Sequence, residues 1–176
     1  MSPRRLAAPP DLVSGDACTA VVEIPMGSRN KYEYDPTLGA IRFDRFVSAS
    51  VVYPADYGYI VETLAPDGDP LDALICVSEP TFPGCVVSAR AVALLRMEDE
   101  EGADDHVVCV PGGDPGWNVM EDLDDLPGHV RAEIGHFFSV YKDLDVGRHS
   151  AVTGWGDRAA AVSAIDMARR RFQEAQ

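Results

Sequence analysis

Apolar residues along this chain come in short runs, and the breaks between them are rich in proline, glycine and aspartate. Runs of about four to eight strand formers bounded by such breaks predict β-strands. Residues 18–24, CTAVVEI, make the first run. Residues 32–35 and 40–43 predict two short strands around a turn at 36–39. Residues 51–60 mix strand formers with Pro54 and Gly58, which predicts strand, turn, strand. Residues 72–77, DALICV, predict a compact buried strand. Two more follow at 86–95, after a Pro83-Gly84 turn, and at 106–110, before the break at Pro111-Gly112-Gly113. The period then changes. Val130, Ile134, Phe137, Tyr141 and Leu144 recur at steps of four, three, four and three, which is one helical stripe between 127 and 144. Pro127 suits the helix start. A second helix is predicted over 157–174, with Asp157 as its N-cap and Val162, Ile165, Ala168 and Phe172 on one face. Arg169, Arg170 and Arg171 complement the dipole at its C-terminal end.

Many short strands followed by two helices do not alternate as a doubly wound sheet does. The order predicts a small closed or nearly closed β-barrel with helices packed on it. The length, 176 residues, is that of about one domain. Residues 1–16, broken by prolines, predict a flexible N-terminal extension, and 17–176 a single domain.

Charge narrows the function classes. Asp plus Glu total 29 against 15 Lys plus Arg, a formal charge of -14. That balance opposes a nucleic-acid binder, whose footprint is basic, and an anionic membrane surface. It does not oppose an anionic substrate, because bound metals invert the local field. No apolar run approaches the roughly 18 residues that span a membrane. Cys18, Cys76, Cys85 and Cys109 have no paired metal spacing, and all but Cys85 lie in apolar runs. They are expected to be reduced core thiols of a cytoplasmic protein.

The acids are clustered. Asp67, Asp69 and Asp72 crowd a Pro- and Gly-containing turn, APDGDPLDALI, that leads into a buried strand. Three converging carboxylates repel one another unless a cation sits between them. A second cluster is Glu98, Asp99, Glu100, Glu101, Asp104 and Asp105, in a loop with Gly102. A third, Glu121, Asp122, Asp124 and Asp125, is expected to be a solvated loop. Carboxylates suit hard divalent cations. The spacing fails the calcium-hand pattern, and neither HExxH nor GxxxxGK[ST] occurs. The chain has two lysines, and each adjoins a tyrosine: Lys31-Tyr32 and Tyr141-Lys142. Isolated cations beside a multi-carboxylate metal site are what phosphate chemistry needs.

At these residues the sequence resembles a family I soluble inorganic pyrophosphatase of the short bacterial type. The resemblance is carried by D-G-D-P-L-D at 67–72, VEIPMGSRNKYEY at 22–34 and FDRFVSASVVYPADYGYI at 43–60, and it continues through 97–111 and 135–145. It covers about 18–172. It implies a mainly β fold, a small closed OB-like barrel with two packed α-helices. It also implies Mg2+-dependent hydrolysis of pyrophosphate with several ions per site, and a homo-oligomer, expected to be a hexamer. The metal ligands it implies are Glu23, Asp67, Asp69, Asp72, Asp99 and Asp104. Asp72 matches a ligand shared by two metals, and Asp69 the residue that takes the proton from the attacking water. Glu33 matches an acid of the same pocket. Lys31, Arg45, Tyr57, Tyr141 and Lys142 match the phosphate-holding set, with Tyr53 beside them. Two departures stand out. His106 takes the place of a usual lysine, and the usual IPKG is Ile24-Pro25-Met26-Gly27. Two other readings are a catalytically weak paralogue that binds metal or phosphate structurally, for which His106 argues, and an OB-type nucleic-acid module, which the -14 charge opposes.

Overall fold

The structure, a computed structural model, describes residues 15–176. The predicted extension therefore lies outside the described residues except for Gly15 and Asp16, which turn into the first strand. Nine strands and two α-helices follow. The strands are β1 (Ala17–Ile24), β2 (Asn30–Asp35), β3 (Ala40–Phe46), β4 (Asp56–Ile60), β5 (Asp72–Ile75), β6 (Val86–Asp99), β7 (Gly102–Ala103), β8 (His106–Pro111) and β9 (Ser150–Gly156). The helices are α1 (Gly128–Val140) and α2 (Arg158–Glu174).

Five strands close a barrel in the order β1-β4-β5-β8-β6, and β6 returns to pair with β1. Closure removes the sheet edges that an open sheet would expose. All neighbours are antiparallel except β5 and β8, which run parallel with Ala73 opposite Val107. The apolar runs in these two strands are continuous because both faces are covered. Leu74, Val108 and Val110 pack with Ile134, Phe137 and Phe138 of α1. Ala73, Ile75, Val107 and Cys109 pack with Ala161, Ile165 and Ala168 of α2. Gly58 sits where β4 crosses β1 so closely that an added Cβ would lie 1.9 Å from the Val21 carbonyl oxygen. No other residue fits there.

Several elements differ from the sequence expectation. Residues 51–55 form no strand. Pro54 has no N–H to give a ladder, and the Tyr53 backbone pairs with Gly27 and Ser28 instead. β6 runs to Asp99 rather than ending at Leu95, because β9 and β7 pair with its far half. β9 lies outside the expected strands; Gly154 and Gly156 weaken its strand signal, and β6 templates it. α1 stops at Val140, so Leu144 is two-thirds exposed at 66%, while Phe138 joins the buried face. The α2 N-cap is as expected: the Asp157 carboxylate accepts from the Ala160 N–H at 2.9 Å. Cys18, Cys76 and Cys109 are buried, and all four cysteines are free thiols.

Candidate active site

The turn before β5 is held by its own sequence. Gly68 has φ of +97°, a conformation that glycine adopts without strain. The Asp67 carboxylate accepts from the Asp69 N–H at 3.0 Å, and the Ala65 N–H donates to the Asp69 carbonyl at 2.7 Å. The turn presents Asp67 and Asp69 and delivers Asp72 as the first residue of β5. His106 is the first residue of β8. Because β5 and β8 are parallel neighbours, their starting residues lie side by side at one end of the barrel. The third member, Asp104, comes from the short link between β7 and β8, where its N–H donates to the Met97 carbonyl at 2.9 Å.

These three converge. His106 Nε2 lies 3.4 Å from Asp72 Oδ2 and 3.4 Å from Asp104 Oδ1. All three donor atoms are within 4.8 Å of one another, a grouping fit for a divalent cation. Among the described residues no other three metal-binding side chains are gathered so closely. Tyr57 donates its hydroxyl to Asp72 Oδ2 at 2.7 Å. The His106 ring stands edge-to-face against Phe138 and Tyr57, with centroids 4.8 and 5.5 Å away.

Charges gathered out of water leave their mark on the titrations. Burial pushes the Asp72 carboxyl up to about 6, and the nearby Asp104 charge adds to the rise although His106 opposes it. Burial likewise pushes Glu23 up to about 7, against the Tyr34 N–H that donates to it at 2.7 Å. Burial and the Asp67 charge raise Asp69. Burial opposes ionisation of Asp104 too, but His106 and Lys142 hold it below the ordinary carboxylate range. Burial works to lower His106, and the Asp104 and Asp72 carboxylates outweigh it, so the net direction is up. The Tyr53, Tyr57 and Tyr141 hydroxyls are raised by burial and remain protonated donors.

The cations ring this cluster, and each is held by acids. Lys31 on β2 pairs with Glu33 and, at 3.4 Å, with Asp44. Arg45, opposite Lys31 on β3, binds Asp44 at 2.8 Å and Asp145 at 3.1 Å. Its Nη2 is buried without a partner. Lys142, in the turns after α1 and only 6% exposed, pairs with Asp99 at 2.8 Å and Glu100 at 3.4 Å. Lys31 also acts electrostatically on Glu23, Asp69 and Asp104, which ties both acid clusters to one region.

The structure thus brings Asp72 and Asp104 within ligand reach of one another, sets Tyr57 on Asp72, and arranges Lys31, Glu33, Arg45 and Lys142 in ion pairs. Glu23, Asp67, Asp69 and Asp99 are not in the close triad; Asp99 is bound to Lys142. Sequence reasoning did not pick out Asp44, Asp145 and Phe138. Asp44 adjoins Arg45, a visible signal, but Asp145 is 100 residues from the arginine it holds. The third acid cluster lies elsewhere and has structural work. Asp122 and Asp125 cap a 3-10 turn, and Asp122 also accepts from the Arg158 N–H at 2.9 Å, fixing the start of α2.

Comparison with known proteins extends these observations. The family model described as inorganic pyrophosphatase matches residues 20–173. The inorganic pyrophosphatase of Methanosarcina acetivorans is 49% identical over 164 residues, covering 93% of this chain and 97% of its own. That of Streptomyces coelicolor is 47% identical over 153 residues, covering 87% and 94%. The crystal structure of inorganic pyrophosphatase from Thermus thermophilus aligns with a TM-score of 0.92 and 43% identity, covering 98% of this chain and 99% of that one. The Helicobacter pylori inorganic pyrophosphatase aligns with a TM-score of 0.91 and 37% identity, covering 97% and 99%.

Proposed function

This chain belongs to the inorganic pyrophosphatase family, and we propose from that premise how its side chains divide the work of the reaction. The protein hydrolyses inorganic pyrophosphate with water to two orthophosphates, with dependence on a divalent metal. Magnesium, several ions per site, is the cofactor we assign. The observation that carries the reading is the convergence of Asp72 and Asp104 at the starts of two parallel strands. The upward titration of Asp72 and Glu23 fits it, since carboxylates that hold protons for want of counter-charge are ready to exchange them for a cation.

Glu23, Asp67, Asp69, Asp72, Asp99 and Asp104 are the residues that would hold the metal. When bound, magnesium supplies Lewis acidity, lowering the pKa of water and neutralising phosphate charge. Asp69 orients the attacking water and takes its proton; its raised pKa moves it toward a working base. Water oxygen forms one P–O bond while the bridging P–O bond breaks, and the departing phosphate carries the electron pair. Arg45 offers its unpartnered Nη2 to a phosphoryl oxygen. Lys142 and the Tyr141 hydroxyl steady the same group. Lys31, oriented by Glu33, and Tyr57 serve the other.

The site is tested by phosphate release from pyrophosphate with magnesium and with chelator. Release in magnesium that chelator abolishes is expected. Folded protein that releases no phosphate at saturating magnesium overturns the reading in favour of the weak paralogue, for which His106 is the one argument. Among the described residues no helix is long and apolar enough to cross a membrane. We place the protein in the cytoplasm on its four free thiols. We also propose one domain over 17–176 and, on family resemblance, a homo-hexamer; light scattering counts the copies.

A further inference from the structure

His106 is the most unusual side chain at the site. It is 1% exposed; its Nδ1 has no hydrogen-bond partner, and its Nε2 makes no well-aligned hydrogen bond to the two carboxylates beside it. A buried polar group is seldom left so. Its direction is fixed, because Phe138 and Tyr57 stand edge-to-face on the ring. That packing turns Nε2 toward Asp72 Oδ2 and Asp104 Oδ1, at 3.4 Å from each. The separations suit ligation as well as pairing. Nitrogen and carboxylate ligands stand about 2.0–2.2 Å from a borderline divalent ion, so two of them on one ion are about 3–3.5 Å apart. Tyr57 orients Asp72 from behind, through the 2.7 Å hydroxyl hydrogen bond, and a carboxylate oxygen keeps a second lone pair for an ion.

We propose that His106 Nε2 is a metal ligand that, with Asp72 and Asp104, makes a one nitrogen–two oxygen site with added affinity for a borderline divalent transition ion, of the cobalt or zinc class, while its magnesium affinity stays that of the carboxylates. The inference rests on the reading of Asp72 and Asp104 as metal ligands of a pyrophosphatase. Magnesium takes oxygen ligands and keeps its waters. Imidazole favours later first-row ions, whose affinity for nitrogen sites rises through the series. An imidazole that gives up its proton to an incoming ion presents a lone pair to it, which a protonated lysine lacks. The nitrogen therefore adds affinity for cobalt or zinc while adding little for magnesium.

The test uses the full chain freed of metal. Cobalt and magnesium are titrated separately into the parent, His106→Gln and Asp72→Asn by calorimetry. The cobalt-loaded parent is also read by low-temperature pulsed electron paramagnetic resonance for coupling to imidazole nitrogen. That second measurement needs no variant to fold. The parent is expected to show the nitrogen coupling. His106→Gln should lose it, with cobalt affinity lowered by roughly tenfold or more, since even disturbing a ligand's support costs 10–100-fold. Its magnesium affinity should change by less than about threefold. No nitrogen coupling in the parent, or an equal loss for both ions in His106→Gln, overturns the proposal. Asp72→Asn separates this from the broader reading. If it binds both ions as the parent does, the carboxylate metal site itself is wrong and the histidine proposal falls with it. If it loses both while His106→Gln is unchanged, the pyrophosphatase site stands and the histidine ligand does not.

Discussion

At the scale of single residues, the carboxylates around the D-G-D turn differ in environment more than in chemistry. Asp72 is half-buried and hydrogen-bonded to Tyr57, whereas Asp69 sits in the exposed turn with Asp67 as the charge that acts on it most. Asp69→Asn keeps the turn, whose hydrogen bonds use the Asp69 backbone. It should therefore fold normally and bind metal, yet lose turnover by roughly 10²–10⁴-fold, the range for a positioned base. Turnover near the parent value at saturating magnesium removes Asp69 from that role. Lys142 is a different case. Its ammonium balances Asp99 and Glu100 while nearly buried. Lys142→Ala and Lys31→Ala should both weaken pyrophosphate binding or turnover while circular dichroism shows a folded chain. Unchanged kinetics in both would remove these lysines from the substrate-holding set.

Among the elements, the barrel strands and α1 respond in opposite ways to the same kind of change. Gly58→Ala drives a Cβ against the Val21 carbonyl, a backbone atom that cannot swing aside. Forcing β4 from β1 there should lower stability by about 3 kcal/mol or more, and the melting temperature by at least roughly 6 °C for a chain of this size. Gly135 lies within α1 with nothing within 4 Å of an added Cβ. Gly135→Ala should stabilise by up to about 1 kcal/mol, the helix propensity difference. Thermal melts of both measure the contrast. A tolerated Gly58→Ala would mean that the β1–β4 crossing is looser than described.

For the whole molecule, 29 acids against 15 basic residues make metal and pH act on stability together. Burial raises Asp72 from 3.8 to about 6 and Glu23 from 4.5 to about 7. A group whose folded pKa is raised favours the fold fully below its unfolded pKa, and that contribution is lost as pH rises through the folded value. In chelator, the Asp72 contribution should therefore fall away between about pH 4 and 6, and that of Glu23 between about pH 4.5 and 7. Asp72→Asn carries no such titration. Without metal it should melt increasingly above the parent as pH rises from about 4 to 6, and then by a constant margin. In magnesium the order should narrow or reverse, because the parent gains more from the ion. A gap that stays constant across pH shows that Asp72 is ionised and relaxed in the metal-free protein.

The sequence by itself determined what local chemistry controls. Asp157 could be read as a cap because a cap bonds within one turn of its helix. Asp67, Gly68 and Asp69 could be read as a turn because glycine there meets a left-handed backbone. The apolar runs of β5 and β8 located two buried strands, and the order of motifs pointed to the family and its carboxylates. The length of β6, the existence of β9 and the end of α1 were not legible, since each depends on what packs or pairs with the segment rather than on its own period. Nor was the meeting of Asp72 with His106, or of Arg45 with Asp145. Only the tertiary structure decided these. Parallel pairing sets the starts of β5 and β8 beside each other, and strand partners are chosen by register and closure across the whole barrel, which no short stretch of sequence encodes.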